Sequence, residues 1–348
     1  MIKPFTFPRV LLLASAFFMT ACSAQRYPVT DHSDGERFYN QDRSYDVEKS
    51  VFDLLKWKLA GNAQTWPESV DDNVTPNFSH SLQQGEGAVT FINHATDLVQ
   101  FPELTVLTDP VFSERASPFS WAGPKRHRTP GASIEELPKV DVVVISHNHY
   151  DHMDLDSLVA INQKDQPTFV VPLGNKKCLA DNNIHNVIEL DWWQDYTTER
   201  GSIITLVPMQ HWSARGLFDR SEALWGGFVI QSAGLSVLFA GDTGYNRQFK
   251  DIEAKFGPMD LSLIPIGAYE PRWFMKNQHI NPAEAVQAHQ DLKSKLSAGM
   301  HFGTFQLTDE GIDDPEKALA MSLAEQGIDP NDFIVPKNGQ TIVFGKVK

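Results

Sequence analysis

Cysteine is nearly missing from this chain: two occur in 348 residues, Cys22 and Cys178. Two cysteines give no disulfide framework, so the core must rest on packing, with or without a metal, and Cys178 reads as a buried apolar residue. An excess of basic charge is missing too. Thirty Lys and Arg against 44 Asp and Glu give a formal net charge of −14. That argues against non-specific nucleic-acid binding and against docking on anionic lipid by charge alone. One local basic candidate is Lys125-Arg126-His127-Arg128. The apolar run Val10 to Phe18 is too short for a permanent membrane-spanning helix. There is no Gly-x-Ser-x-Gly elbow, so a serine hydrolase is not expected. Gly241-Asp242-Thr243-Gly244 lacks the spacing of a phosphate-binding loop.

What the N-terminus does have is a secretory pattern. Lys3 and Arg9 precede the apolar run, which ends in Met19-Thr20-Ala21-Cys22. Those residues resemble a bacterial lipobox, which implies cleavage after residue 21 and lipidation of Cys22. Ser23 stands where Asp would signal retention at the inner membrane, so the expected location is the cell envelope, at the periplasmic face of the outer membrane in a Gram-negative host. Residues 22–45 are polar and read as a tether. Residues 46–85 read as an N-terminal helical extension, with Val51, Leu54 and Leu55 on one face.

From residue 86 to 348 the pattern is that of one α/β domain. Strands are expected at Ala88–Ile92, Leu104–Leu107, Val140–Ile145, Thr168–Val171, Ile203–Val207, Phe228–Gln231, Ser236–Ala240 and Leu261–Ile266. Several are almost wholly apolar, as strands buried on both faces are. Asn281-Pro282-Ala283-Glu284 supplies a cap, Pro at the first turn and an acidic third position, and opens a helix to about Leu292. Asp314-Pro315 opens another, ending near Gly327.

The chemistry concentrates in His147-Asn148-His149-Tyr150-Asp151-His152, directly after an apolar strand. His147 and His149 point the same way on an extended segment. Asp151 and His152 follow where the chain turns. Four such groups exceed what one tetrahedral zinc with an open position needs, whereas two metals about 3.5–4 Å apart would use them all. His211, Asp242 and His301 each follow the exit of an apolar run, and Asp242 could bridge two metals.

The cluster, followed by His, Asp and His, resembles the metallo-β-lactamase fold superfamily. Further segments are similar to one branch of it: Thr90-Phe91-Ile92-Asn93-His94-Ala95-Thr96, Leu107-Thr108-Asp109-Pro110, Asp191-Trp192-Trp193, His211-Trp212-Ser213-Ala214-Arg215-Gly216, Leu224-Trp225-Gly226-Gly227-Phe228 and Pro271-Arg272-Trp273-Phe274-Met275. That branch is the N-acyl-phosphatidylethanolamine-hydrolysing phospholipase D and its bacterial relatives. One departure is Asn93, where relatives often have Gly. The resemblance implies an αββα sandwich and two Zn2+ per chain. His147, His149 and His211 would hold one ion, Asp151, His152 and His301 the other, and Asp242 both, with a metal-bridging hydroxide as nucleophile. Asp242, Asp151 and His279 would be the catalytic residues. His279 would contact a phosphoryl oxygen or the leaving group, or would merely cap the helix after it.

Around these, Asp109 and His94 are candidates to orient the ligands, although His94 could instead be a buried structural histidine. Trp192, Trp193, Trp212, Trp225 and Trp273 could line an acyl groove or fill the core. Arg215, Arg272 and Lys276 could meet a phosphodiester's charge. The expected substrate-binding set is Arg215, Arg272, Trp212 and Trp273. The expected activity is hydrolysis of N-acyl-phosphatidylethanolamine to phosphatidic acid and N-acylethanolamine, by a chain tethered beside its phospholipid substrate and, as relatives suggest, homodimeric. The alternatives are a lactonase, amidase or nuclease on the same site, or a non-catalytic zinc-binding envelope lipoprotein.

Overall fold

The computed structural model describes residues 27–43, 49–78 and 81–346. The expected signal peptide and Cys22 lie outside them. In chain order the first elements are α1 (Val51–Ala60), β1 (Glu86–Asn93), β2 (Thr96–Gln100), β3 (Thr105–Thr108), β4 (Val142–Val144), α2 (Leu155–Asp165), β5 (Thr168–Pro172), α3 (Lys176–Ala180) and β6 (Val187–Leu190). There follow β7 (Asp195–Thr197), β8 (Ile203–Val207), β9 (Gly227–Ser232), β10 (Leu235–Phe239), α4 (Gln248–Phe256), β11 (Leu261–Pro265), α5 (Arg272–Met275), α6 (Pro282–Asp291), β12 (Ser297–Met300), α7 (Asp314–Gln326), β13 (Phe333–Ile334) and β14 (Thr341–Gly345).

They form two seven-stranded mixed sheets, ordered β14-β1-β2-β3-β4-β5-β6 and β13-β12-β11-β10-β9-β8-β7. In the first sheet, β3 to β6 run parallel, and in the second, β10 to β13 do. The three valines of β4 show why both faces had to be apolar. Val142 and Val144 join the core between the sheets, while Val143 joins a second core with Leu158 and Ile161 of α2. Each such side chain, fully buried, contributes roughly 1.5–3 kcal/mol. The second sheet is covered in the same way by Ala285, Val286 and Ala288 of α6 and Leu319 and Leu323 of α7. The result is the αββα sandwich.

The eight strands expected from the sequence are all present, within a residue or two of the expected bounds. Helix α6 begins as its sequence dictates: the Asn281 side chain accepts from Glu284 N–H and the Glu284 side chain accepts from Asn281 N–H.

The chain before residue 86 departs from expectation in two ways. Residues 27–43, expected as a tether, are packed on the domain, with Tyr27, Phe38 and Asn40 buried. The buried polar side chains His32 and Asn40 find partners in the domain, at Asp191 and His211, while most of the other polar side chains remain in solvent. Helix α1 buries Trp57 against Phe274 and Met275, whereas Leu54 and Leu55 are 44% and 51% exposed. The expected apolar face therefore does not point into the core.

Candidate metal centre

Both sheets deliver functional side chains at strand exits. His94 follows β1, Asp109 follows β3, and the segment 147–152 follows β4; His211, Asp242 and His301 follow β8, β10 and β12. His94, Asp109 and His301 all have left-handed backbone conformations (φ 50, 29 and 58°). Non-glycine residues adopt that region at a cost that the surrounding structure must offset, and such residues cluster at functional sites. Gly241 takes φ +60° immediately before Asp242, and a Cβ there would lie 2.5 Å from that of Ser146. Only glycine lets the Asp242 loop approach the β4 exit this closely.

The seven residues expected as metal ligands converge. His147 Nε2 lies 2.8 Å from His149 Nδ1, which lies 3.4 Å from His211 Nε2. On the other side, His152 Nε2 and His301 Nε2 are 3.1 Å apart and Asp151 Oδ2 is 3.4 and 3.3 Å from them. Asp242 spans the two groups. Its Oδ2 is 3.7 Å from His211 Nε2, 3.9 Å from His147 Nε2 and 3.2 Å from His152 Nε2, and its Oδ1 is 3.1 Å from His301 Nε2.

Hydrogen bonds on the outer side set the tautomers. His152 Nδ1–H donates to Asp109 Oδ2 (2.6 Å). Ser146 Oγ–H donates to the same carboxylate (2.5 Å) and accepts from His147 Nδ1–H (2.9 Å). His211 Nδ1–H donates to the carbonyl of Gln278 (2.9 Å). With a metal bound, the inward nitrogens of these rings would carry lone pairs, and several face one another across about 3 Å. Such an arrangement fits a cation between them, with each ring oriented by the bond on its far side. Asp109 thus holds two of the histidines expected as ligands, His152 directly and His147 through Ser146. His94 Nε2 lies 3.2 Å from Asp151 Oδ2, and the His94 carbonyl accepts from His301 N–H (2.6 Å). His94 thus braces the second group.

The electrostatics point the same way. Burial holds His147 well below its ordinary pKa, His149 at about 4, and His211 and His279 at about 3. Burial pushes Asp151 and Asp242 up, but the surrounding imidazoles outweigh it and keep both carboxyls well below the usual range. Burial likewise disfavours charge on His152 and His301, yet Asp242 and Asp151 prevail, raising His152 well above its ordinary value and His301 to about 9. The bare cluster answers its two carboxylates with protons, which a divalent cation would displace on binding.

The centre floors a cavity of about 410 Å³. His149, Asp151, Asp242 and His279 face it from below, Trp57, Phe274, Met275 and Leu307 form apolar walls, and Lys49, Leu54, Trp212 and Arg220 also line it. Of the residues expected to contact substrate, Trp212 lines this cavity, whereas Arg215, Arg272 and Trp273 do not. Arg215 donates to the carbonyls of Asn148 and Met153 and lies over the Tyr150 ring, so it braces the ligand segment. Arg272 pairs with Glu284 and donates to the His279 carbonyl. Trp273 packs edge-on to Phe274, outside the cavity lining, with Lys56 over its ring, and Lys276 is exposed. Trp192 donates to the Trp225 carbonyl, and both are core residues. Sequence reasoning missed Lys49 and Arg220, which carry no local signature. Asn93, in place of Gly, accepts from the buried Arg126. Arg128 pairs with Asp72 and Lys125 with Glu114, so the basic run is not an exposed patch.

The model of a beta-lactamase superfamily domain matches residues 104–302. This chain belongs to the metallo-β-lactamase superfamily. It is 40% identical over 280 residues to an N-acyl-phosphatidylethanolamine-hydrolyzing phospholipase D of Caenorhabditis elegans, covering 77% of this chain and 78% of that one. It is 38% identical over 275 residues to the mitochondrial enzyme of that description in Saccharomyces cerevisiae, covering 76% and 58%. Among solved structures, a metallo hydrolase from Ignicoccus hospitalis matches with TM-score 0.57 at 20% identity, covering 76% and 100%, and supports the fold. The superfamily and these relatives make the chain a metal-dependent hydrolase with phospholipase D homologues.

Proposed function

We propose that the protein hydrolyses the phosphodiester of N-acyl-phosphatidylethanolamine, releasing N-acylethanolamine and leaving phosphatidic acid. The observation that carries this reading is the pairing of a His/Asp centre at the floor with apolar walls above it: a charged diester needs the first and its acyl chains the second. The relatives' activity supports the same substrate. In this reading His147, His149 and His211 would hold one Zn2+, Asp151, His152 and His301 a second, and Asp242 would serve both. When bound, such ions supply hydroxide at neutral pH and polarise a phosphoryl oxygen. Asp151 and Asp242 stay ionised as ligands. His279, kept neutral by burial, has its Nδ1 3.8 Å from Asp242 Oδ2 with no hydrogen-bond partner. It offers a hydrogen bond to the diester or the departing oxygen. Lys49 and Arg220 draw the anionic diester into the cavity.

Exposed apolar side chains on the segments that carry lining residues support a lipid substrate. Phe52 and Leu59 of α1 are 81% and 83% exposed, and Leu217 and Phe218, between the lining residues Trp212 and Arg220, are 82% and 84% exposed. Lys56 and Lys58 share α1 with them. Apolar side chains among lysines suit a bilayer surface. No helix among the described residues is long and apolar enough to cross a membrane. A lipidated Cys22 would hold the mouth near its substrate, at the outer membrane in a Gram-negative host. The test is to incubate the purified protein with N-acyl-phosphatidylethanolamine in mixed micelles, with and without a chelator, and identify products by mass spectrometry. Chelator-sensitive release of N-acylethanolamine and phosphatidic acid is expected. A metal-loaded protein that leaves this lipid intact but opens lactones would move the reading to a lactonase.

A further inference from the structure

His211 lies four residues beyond the end of β8, directly after the isolated bridge between Gln210 and Gly244. Its N–H and carbonyl are both satisfied by one side chain far away in sequence. Asn40 Nδ2 donates to the His211 carbonyl at 2.9 Å, and Asn40 Oδ1 accepts from His211 N–H at 3.0 Å. The amide is itself fixed, because Trp225 Nε1–H donates to Asn40 Oδ1 at 3.2 Å. Asn40 is 6% exposed. The segment that carries it is anchored at its other end. His32 lies between Asp31 (2.7 Å) and Asp191 (2.8 Å) and stacks on Trp192 at 4.5 Å, while Phe38 N–H donates to the Ser221 carbonyl.

We propose that Asn40 is a positioning residue of the metal centre, and that residues 27–43 form a strap that completes it. The Gln278 carbonyl sets the His211 ring; Asn40 sets the backbone from which that ring projects. Only a side chain with a donor and an acceptor on one rigid amide can close on both groups of a single residue, so the pairing is chemically particular and is more than filling of space. The strap lies outside the residues matched by the superfamily model. The inference rests on the reading of His211 as a ligand.

The test compares wild type with Asn40→Ala, Asn40→Asp and His211→Ala, each loaded with Zn2+. The readouts are metal content, the kinetics of release to a chromophoric chelator, and amide exchange of the peptide containing His211. Asn40→Ala is expected to release one of two ions at least about tenfold faster, the scale of losing a group that orients a ligand. Exchange should rise at His211 while β9 and β10 stay protected. Wild-type release and exchange would overturn the proposal. If Asn40→Ala does not fold, the near-isosteric Asn40→Asp carries the test. It keeps the acceptor for His211 N–H but sets an oxygen against the His211 carbonyl, so release should still accelerate, and a wild-type rate overturns the proposal. His211→Ala should lack the fast-released ion altogether. If it keeps both ions, the ligand assignment itself fails and the positioning role falls with it.

Discussion

At the floor of the cavity Asp242 is 4% exposed, and His147, His152 and His211 are each held by a hydrogen bond on the side away from it. On the two segments that contribute cavity-lining residues, α1 and the loop from Trp212 to Arg220, Phe52, Leu59, Leu217 and Phe218 stand in solvent, and α1 itself is docked mainly through Trp57. The floor is built from residues at the ends of strands in two rigid sheets. The mouth is built from segments that add little to the core. On the proposed function, the contrast makes chemistry and substrate presentation separable: the floor would hold charges in place, whereas the mouth would need only an apolar surface near them.

The strongest way to break this comparison is at the floor. Asp242→Asn should lower turnover by more than about 10²-fold, the scale of losing a main electrostatic stabiliser, and elemental analysis should find fewer than two ions per chain. Full activity with two ions would remove the bridging role. His279→Ala is expected to lower kcat by about 10–10²-fold, as for losing a hydrogen bond to a charged group, with metal content unchanged. Loss of metal would make His279 a ligand.

The mouth answers to a different assay. Replacing Leu217 and Phe218 together by Asp should reduce turnover on vesicles by about tenfold, since each side chain would forfeit part of roughly 1.5–3 kcal/mol of burial in lipid. Turnover of a short-chain soluble diester should not change. An equal loss on both substrates would show that the loop serves the floor.

The smallest effect concerns the strap. His32 titrates above its ordinary value of 6.5, because the hydrogen bonds to Asp191 and Asp31 outweigh its burial. A raised value in the folded state means that the stabilisation is fully present below about pH 6.5 and is lost as pH rises through the folded-state value. The melting temperature of wild type should exceed that of His32→Ala by a few degrees in mild acid, with a gap that narrows toward alkaline pH. A gap independent of pH would assign His32 to packing alone.

Floor and mouth also differ in how far they could be read from the sequence. Most strands that precede the proposed ligands are apolar on both faces, and His or Asp at their exits stands out against that background. Short elements were harder. β12 is Ser297-Ala298-Gly299-Met300, with no β-branched residue, and is a strand because it fits between β11 and β13, Gly299 lying against Ile266. The edge strands β7 and β13 have two or three residues each. Arg215 and Arg272 have the right chemistry for a phosphodiester, but backbone carbonyls and Glu284 take up their donors. Lys49, Arg220 and Asn40 act across long sequence separations, and no local spacing marks them.

The most direct test of the central claim is hydrolysis of N-acyl-phosphatidylethanolamine in H2(18)O by the zinc-loaded protein, with the label located by mass spectrometry. Attack of water on phosphorus, with cleavage of the bond to the ethanolamine oxygen, predicts one labelled oxygen in phosphatidic acid and none in N-acylethanolamine. Asp242→Asn should abolish the labelled product. Label in a released fatty acid would instead mean that an acyl bond is cut, and would contradict the account.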